Sequence, residues 1–368
     1  VPAYNEENNI IQTLNSLIRL NYPKNKLEII VVNDGSIDKT PLLVERFIKQ
    51  NTGFDIKLIN KINEGKGAAL NKALSIAKGK YFVCLDADST VKSNILRKTL
   101  PHFADEEVAV VLPLLKVKNP KTIWQKLQWL EYIINMFYKK LMSKLDCVHV
   151  SPGPFSVYKT NVLRKVGGFD EHNLTEDLEI SLRLQSKNFR IVQILEGGVF
   201  TKAPKSFKDL YKQRNRWYKG SIINAIKYRH MMLNRKFGDF GLIQMPTIII
   251  SGIIAIILVA SSMYYGLKPY VKGVYNSFLI DFDIYTLLKT FKLDFNWLDI
   301  NYMVILIALV TFTITITLLK KSQAEIKENT RRHGVFNLLA YLFLYFFVIG
   351  FIWIGILIDL VFGKKQKW

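Results

Sequence analysis

Residues 213 to 217 read QRNRW and bring together groups that suit both phosphate and sugar. The guanidinium groups of Arg214 and Arg216 can bind phosphate, and the indole of Trp217 can stack on a sugar ring or a cation. Gln213 and Arg216 are three residues apart, so in a helix both side chains can reach one diphosphate. A basic run is more commonly a solvated helix face, and the pattern leaves open whether the two ligands belong to one substrate.

Two carboxylates in the stretch CLDADS, residues 84 to 89, can form a metal site. Asp86 and Asp88 follow an apolar run, so their side chains can converge on one hard cation at the end of a strand. Mg²⁺ and Mn²⁺ prefer such oxygen ligands and share them with phosphate groups. The alternative is a solvated acidic loop, but a second acidic strand end at Asp34 favours the metal site.

Two further acidic stretches can take part in binding or catalysis. Asp34, in VVNDGSIDKT, can accept hydrogen bonds from a base or a ribose, although an ordinary capped turn after a strand has the same pattern. In LTEDLEIS, Asp177 can act as a general base that takes a proton from an acceptor hydroxyl. Glu176 and Asp177 also suit the first turn of any helix because of the helix dipole, so spacing does not decide between these readings.

Apolar strand-like runs alternate with helical stretches over the first 115 residues or so. Strands are predicted at 27–32, 55–60 and 80–88, and helices at 39–50 and 67–78. The alternation predicts an α/β domain with a mostly parallel sheet that is covered on both faces. Ligands bind beyond the carboxyl ends of the strands in such sheets, so we expect the two acidic strand ends to face one cleft.

Residues 121 to 144 form a predicted helix whose apolar side chains recur at spacings of three and four. Lysines and tryptophans flank this stripe. Two readings are equally favoured: a helix packed on the domain core, or an interfacial helix in the lipid headgroup layer. The basic stretch at about 206–235 is predicted to be a second interfacial helix.

Three later segments are long and apolar enough to cross a bilayer, at about 243–267, 302–319 and 336–362. They divide the chain into a domain at 1–242 and a membrane region at 243–368. The loop KKSQAEIKENTRRHG carries five Lys and Arg, which predicts that this loop and the first domain are cytoplasmic. Three spans would place the basic C-terminal GKKQKW outside, unless 275–291 is an additional re-entrant piece.

The composition narrows the partners of this 368-residue chain. Its net charge of +21 fits anionic lipid or a phosphorylated substrate. Nucleic acid is disfavoured, because no zinc-ligand spacing or nucleic-acid-binding motif accompanies the charge. The two cysteines, Cys84 and Cys147, are too few for a disulfide framework and fit a reducing compartment. Val1 opens inside an apparent strand, so we expect further residues upstream.

Seven short motifs follow one another along the chain: PAYNEE (2–7), NDGSIDKT (33–40), GKGAALNKAL (65–74), DAD (86–88), SPGPF (151–155), TED (175–177) and QRNRW (213–217). Their types and order resemble those of the family 2 glycosyltransferases. The chain resembles in particular the membrane-embedded processive polysaccharide synthases, which include cellulose, hyaluronan, chitin and poly-N-acetylglucosamine synthases. QxxRW is the discriminating motif, because simpler family members that transfer one sugar to a lipid phosphate generally lack it.

The resemblance implies a GT-A fold that binds a nucleoside diphosphate sugar, usually a UDP-sugar, together with Mg²⁺ or Mn²⁺. The residues that it places at the nucleotide are Pro2, Ala3, Tyr4, Glu6, Asp34 and Lys66. Asp86 and Asp88 would hold the diphosphate and the metal ion, with Asp88 as the direct ligand.

The resemblance also implies roles for the later motifs. Asp177 of the TED motif, beside Glu176, would be the catalytic base. Gln213 and Arg216 would stabilise the diphosphate leaving group, and Trp217 would stack beneath the acceptor sugar at the mouth of a membrane channel.

The implied enzyme is an inverting, metal-dependent transferase in the cell membrane, with its catalytic domain in the cytoplasm and possible accessory subunits. It would extend a polysaccharide and couple this extension to export. Asn33 favours UDP-GlcNAc over UDP-Glc as the donor. Two alternatives remain open. One is a non-processive transferase that moves a single sugar to a lipid or glycolipid, and the other is an inactive membrane scaffold. Product length tests the first, and UDP binding tests the second.

Overall fold

A computed structural model describes residues 1–279 and 302–362 of the chain. Its strands are β1 (Pro2–Ala3), β2 (Glu28–Asp34), β3 (Asp55–Lys61), β4 (Tyr81–Cys84), β5 (Thr90–Val91), β6 (Val108–Leu112), β7 (Leu115–Val117), β8 (Ser156–Lys159), β9 (Arg190–Gln193) and β10 (Val199–Thr201). Its helices up to residue 227 are α1 (Ile10–Ile18), α2 (Thr40–Gln50), α3 (Lys66–Ile76), α4 (Ile95–Thr99), α5 (Ile123–Ser143), α6 (Thr160–Lys165), α7 (Glu176–Gln185) and α8 (Phe207–Lys227).

The first sheet is parallel throughout, in the order β1-β2-β3. The apolar residues of β2 are buried on both faces, because α3 covers one side while the cluster that includes α1 and α2 covers the other. This burial explains the continuous apolar run from Ile29 to Val32. The predicted strand and helix alternation of this half of the domain is confirmed.

The second sheet is mixed, in the order β4-β8-β6-β9. Strand β8 runs antiparallel to both β4 and β6, whereas β6 and β9 are parallel. The expected parallel arrangement therefore does not extend to β8. Because Ser156 pairs with Cys84, this reversal places the SPGPF segment directly beside the DAD loop. A third, small sheet has the order β5-β10-β7.

Helix α5 begins at a capping box, in which the Thr122 hydroxyl accepts from the Gln125 backbone N–H and the Thr122 backbone N–H donates to Gln125 Oε1. Its apolar face, which includes Leu130 and Ile133, is buried in the core of the domain. Another part of the helix contacts the C-terminal helices described next. The reading as a core-packed helix therefore holds for one face of α5, and its place in the headgroup layer stays a prediction.

The C-terminal part contains four helices, α9 (Met245–Leu279), α10 (Tyr302–Ile326), α11 (Val335–Phe343) and α12 (Tyr345–Val361). Among the described residues, the continuous helical stretch Phe240–Tyr275 is long and apolar enough to cross a membrane. Helices α11 and α12 reach that length only together, with a bend of 45° between them. The predicted third span is thus broken near Leu344. The segment after residue 279 and the GKKQKW tail lie outside the described residues.

The loop between α10 and α11 packs against the first domain. Lys116 Nζ of β7 lies 2.8 Å from Glu328 Oε1, and the ring of His333 meets the Trp129 ring edge-on at 4.7 Å. These contacts hold the loop against the first domain, and its cytoplasmic location stays a prediction.

Candidate active site

Four acidic side chains and one lysine meet where β4 and β8 adjoin the start of α7. Lys66 Nζ lies 2.6 Å from Asp86 Oδ1 and 3.2 Å from Glu176 Oε1. Asp88 lies in the same loop as Asp86, and burial together with the Asp86 charge raises its pKa. Asp177 follows Glu176 in the first turn of α7. The structure therefore brings the DAD and TED motifs into one cleft.

Lys66, at the start of α3, balances the negative charge of this cleft. Burial works against its charged form, but the nearby Asp86 and Glu176 carboxylates raise the pKa of Lys66 well above its usual range. The ammonium group therefore stays protonated at neutral pH. Gly153 of SPGPF packs directly on this ion pair, because a Cβ there would lie only 2.8 Å from Asp86 Oδ1. A side chain at position 153 would separate Lys66 from Asp86.

Asp177 has the electrostatic properties of a base that works near neutral pH. Its side chain is half-buried, and burial followed by the neighbouring Glu176 charge raises its pKa to about 6. The positive charges of Lys66 and Arg216 act in the opposite direction. The backbone N–H of Leu178 donates to Asp177 Oδ1 over 2.8 Å and fixes the carboxylate at the helix start.

Hydrogen bonds join the start of α7 to α8, and they fix the position of the TED motif relative to QRNRW. Asn224 Nδ2 of α8 donates to Thr175 Oγ1 and to Asn173 Oδ1, both over 3.0 Å. Gly220 lets the helices approach closely, because a Cβ there would overlap the Thr175 side chain. These contacts hold the segment that carries Asp177 against the helix that carries Arg216.

The residues of QRNRW have different surroundings within α8. Gln213 Oε1 accepts a hydrogen bond from Gln128 Nε2 of α5 over 3.0 Å. Arg214 is buried and pairs with Glu131 of α5. Arg216 contributes its positive charge at Asp177, and its side chain is half-buried. It is therefore the arginine of this motif that can serve the cleft.

The residues of the PAYNEE motif line one side of the domain near the same cleft. Pro2 and Ala3 form β1 and pair with Val32 and Asn33 of β2. Tyr4 is about half exposed, at 49%. Burial raises the pKa of Glu6, and the Asp88 and Asp86 charges act in the same direction, which places Glu6 close to the DAD loop.

Asp34 is buried and its carboxylate is already engaged by protein groups. Lys61 Nζ lies 2.7 Å from Asp34 Oδ1, and the backbone N–H groups of Glu64 and Gly65 donate to the two oxygens over 3.1 and 2.8 Å. Asp34 thus holds the loop that leads into α3. This loop in turn places Lys66 in the cleft.

Sequence reasoning did not identify three residues that shape this site, namely Gln128, Glu131 and Lys202, and it gave Gly153 of SPGPF no role of its own. Lys202 hydrogen-bonds Asn9, and its charge acts on both Glu6 and Asp88. One signal was available in the sequence. Gln128 and Glu131 lie one turn apart as polar residues within the apolar pattern of α5.

The carboxylates of the DAD loop suit a metal ion that the substrate helps to hold. Within residues 1–279 and 302–362, no group of three or more His, Cys, Asp or Glu side chains is arranged to hold a metal ion by itself. Mg²⁺ in nucleotide sites uses one or two protein carboxylates together with phosphate oxygens and water. Asp88 and Asp86 fit that donor set.

Comparison with known proteins shows which family this domain resembles. Residues 1–167 match the family model described as Glycosyl transferase family 2. The chain is 31% identical to a poly-beta-1,6-N-acetyl-D-glucosamine synthase of Staphylococcus epidermidis over 222 residues, which are 59% of this chain and 52% of the relative. It is 28% identical to a beta-monoglucosyldiacylglycerol synthase of Nostoc sp. over 243 residues, 65% of this chain and 51% of the relative. The chain spans about half the length of these curated relatives.

Among solved structures, the fold is similar to that of the mannosyltransferase PcManGT from Pyrobaculum calidifontis, in complex with GDP-Man and Mn2+. The TM-score is 0.60 at 18% identity, and the match covers 99% of this chain and 86% of the other. The GT-A fold that the motifs imply is confirmed by this likeness.

Proposed function

We propose that this chain, whose residues 1–167 match the family 2 glycosyl transferase model, transfers sugar from UDP-GlcNAc or UDP-Glc to a growing polysaccharide at a membrane. The observation that carries the proposal is the cleft itself. A candidate base, Asp177, lies in it with the DAD carboxylates and within range of the Arg216 charge. A poly-beta-1,6-N-acetyl-D-glucosamine synthase among the relatives supports UDP-GlcNAc as the donor.

In the proposed reaction, the Asp177 carboxylate removes the proton from an acceptor hydroxyl as that oxygen attacks the anomeric carbon. The bond from the anomeric carbon to the UDP oxygen breaks, so the electron pair leaves with the diphosphate. Arg216 and Gln213 would stabilise the charge that develops there. A divalent ion at Asp88 and Asp86 would supply further positive charge at the diphosphate. Attack from the face opposite UDP inverts the anomeric configuration.

We further propose that the domain is cytoplasmic and that the protein lies in the cell membrane. The apolar stretch Phe240–Tyr275 supports a membrane anchor. The basic segment 320–334, which comprises the end of α10 and the loop after it, packs against the first domain. Excess Lys and Arg in a short loop marks the cytoplasmic side. Export of the polymer through the C-terminal helices completes the proposal.

The test uses the full-length protein in lipid nanodiscs with Mg²⁺ or Mn²⁺. Labelled UDP-GlcNAc, UDP-Glc and UDP-GlcA are offered separately, with and without diacylglycerol, and the product is sized. We expect a long product from UDP-GlcNAc or UDP-Glc that does not require diacylglycerol. A single sugar on diacylglycerol would instead establish the non-processive alternative, which the similarity to beta-monoglucosyldiacylglycerol synthase favours. If the protein neither bound UDP nor formed a product, the alternative of an inactive membrane scaffold would be supported.

Removal of divalent metal is expected to abolish transfer, because the anionic diphosphate and the carboxylates of Asp86 and Asp88 repel each other when no cation lies between them. The measurement is the initial rate after treatment with EDTA and again after Mg²⁺ or Mn²⁺ is restored. Asp88→Asn is expected to raise the metal concentration needed for half-maximal rate. A rate that EDTA leaves unchanged would contradict the metal role.

The pH dependence of kcat/KM should show the raised pKa of Asp177. This carboxyl has a pKa of about 6, and the base must be deprotonated. The rate is therefore expected to be level above pH 6 and to fall by about tenfold per pH unit below it. If kcat/KM began to fall only near pH 4, burial would not raise the pKa of Asp177.

A further inference from the structure

A buried polar cluster, which we name the 131/214/345 cluster, joins three helices behind the candidate active site. It consists of Glu131 of α5, Arg214 of α8 and Tyr345 of α12. Arg214 Nη2 lies 2.5 Å from Glu131 Oε2, and the Tyr345 hydroxyl donates to the same oxygen over 2.9 Å. Arg214 is 3% exposed and Tyr345 is 5% exposed. Glu131 Oε2 therefore accepts hydrogen bonds from donors on two other helices.

The Arg214 guanidinium connects this cluster to Trp217. Its central carbon lies 4.5 Å from the centre of the Trp217 ring system. A cation at this distance from an indole is attracted by the ring electrons. The contact occupies one face of Trp217, so a sugar ring would stack on the other face. The orientation of the indole is thus tied to the position of Arg214, and through it to Glu131.

Among the described residues, Glu131 forms its one ion pair with Arg214. Because this pair is buried, water cannot take the place of the carboxylate as the partner of the guanidinium. A buried guanidinium that loses its carboxylate keeps the desolvation cost of its charge. It would have to move towards water or another acceptor. Because Arg214 packs on Trp217, such a movement would release the indole from its present orientation.

The same side of α5 also contacts Gln213, the first residue of the QRNRW motif. Gln128, one turn before Glu131, donates its hydrogen bond to Gln213 over 3.0 Å. Helix α5 therefore sets the positions of both Gln213 and Arg214. The third member, Tyr345, comes from the C-terminal helices and links them to the same residues.

We propose that Glu131 is a positioning residue that orients Trp217 for the acceptor sugar through Arg214, with Tyr345 as its link to the C-terminal helices. This inference rests on the proposed function, because it assumes that a sugar acceptor meets Trp217. Glu131 itself touches neither donor nor acceptor. It acts on acceptor binding and on the length of the product, and the donor site stays as it is.

The experiment compares Glu131→Gln with wild type in nanodiscs. The acceptor is a short oligosaccharide released from the wild-type product. We expect the acceptor KM to rise by about tenfold and the product to shorten, because the buried pair is broken. Binding of UDP, measured by calorimetry, should stay at the wild-type value. Tyr345→Phe removes one hydrogen bond and no charge, and is expected to raise the acceptor KM by about threefold.

The matched control is Asp359→Asn. Asp359 Oδ2 lies 3.1 Å from Lys219 Nζ and accepts from Asn215 Nδ2, so it also ties α12 to α8. A purely structural role for Glu131 would make Glu131→Gln and Asp359→Asn alike: both would lower the unfolding temperature and leave the acceptor KM unchanged. An unchanged acceptor KM in Glu131→Gln and Tyr345→Phe would overturn the proposal.

A fluorescence measurement separates this inference from the proposed function. The Trp217 contribution is the difference between spectra of each protein with and without Trp217→Phe. We expect this difference spectrum to change in Glu131→Gln and to stay unchanged in Asp359→Asn. If wild type transfers no sugar, the proposed function fails. The positioning of Trp217 is then still supported by a changed spectrum and overturned by an unchanged one.

Discussion

Replacing Asp177 by asparagine is expected to lower the rate of sugar transfer by about 10²–10⁴-fold, the usual contribution of one general base. The amide has nearly the size of the carboxylate and can still accept the Leu178 hydrogen bond, so the start of α7 keeps its geometry. It cannot take the acceptor proton. The measurement is the single-turnover rate with saturating donor, together with UDP binding by calorimetry.

The control for this substitution is Asp170→Asn, a carboxylate that precedes the same helix. Asp170 Oδ2 pairs with Lys227 Nζ over 2.8 Å, and its carboxylate takes no part in the ion pairs of Lys66. We expect the Asp170→Asn variant to transfer sugar at close to the wild-type rate. If Asp177→Asn kept more than about a tenth of wild-type activity, general-base catalysis by Asp177 would be excluded, since its contribution should be larger.

Replacing Arg216 by glutamine is expected to lower kcat by about 10²–10³-fold, as for the loss of a donor that stabilises developing charge. The breaking bond leaves its electron pair on the UDP diphosphate, and Arg216 is the arginine of QRNRW that can neutralise it. Arg214 cannot compensate, because it is buried and paired with Glu131. Steady-state kinetics with each UDP-sugar provide the measurement.

Lys212→Gln is the matched control for Arg216. Lys212 lies on the same helix and its side chain is exposed, so a lost positive charge there is screened by solvent. We expect kcat to change by less than about twofold, the usual range for an exposed charge. Equal effects of the two substitutions would mean that the overall positive charge of α8, and not a directed contact of Arg216, assists the reaction.

The sequence by itself determined the strands that end at the acidic motifs and the helix that carries QRNRW. Buried strands read as apolar runs, and helices as periodic stripes, because each residue's burial depends mainly on its own element. For this reason β2, β3, α2, α3 and α5 lie close to their predicted positions. The order of the motifs also led correctly to the GT-A fold.

Only the tertiary structure decided how the charged residues are used. Arg214 and Arg216 stand two positions apart in one motif, but Arg214 is buried and pairs with Glu131, whereas the charge of Arg216 acts on Asp177. Asp34 was expected at the nucleotide, and the structure adds that it holds the loop before Lys66. None of these differences is visible in local spacing.

The physical reason is that a side chain's charge and hydrogen bonds are set by partners far away in the chain. Glu131 and Tyr345 are separated by 214 positions, and Gln128 and Gln213 by 85. Local periodicity predicts which face of a helix is buried, but the partner across that face depends on how all elements pack. The residue types were therefore readable from the sequence, and the partners of each side chain required the fold.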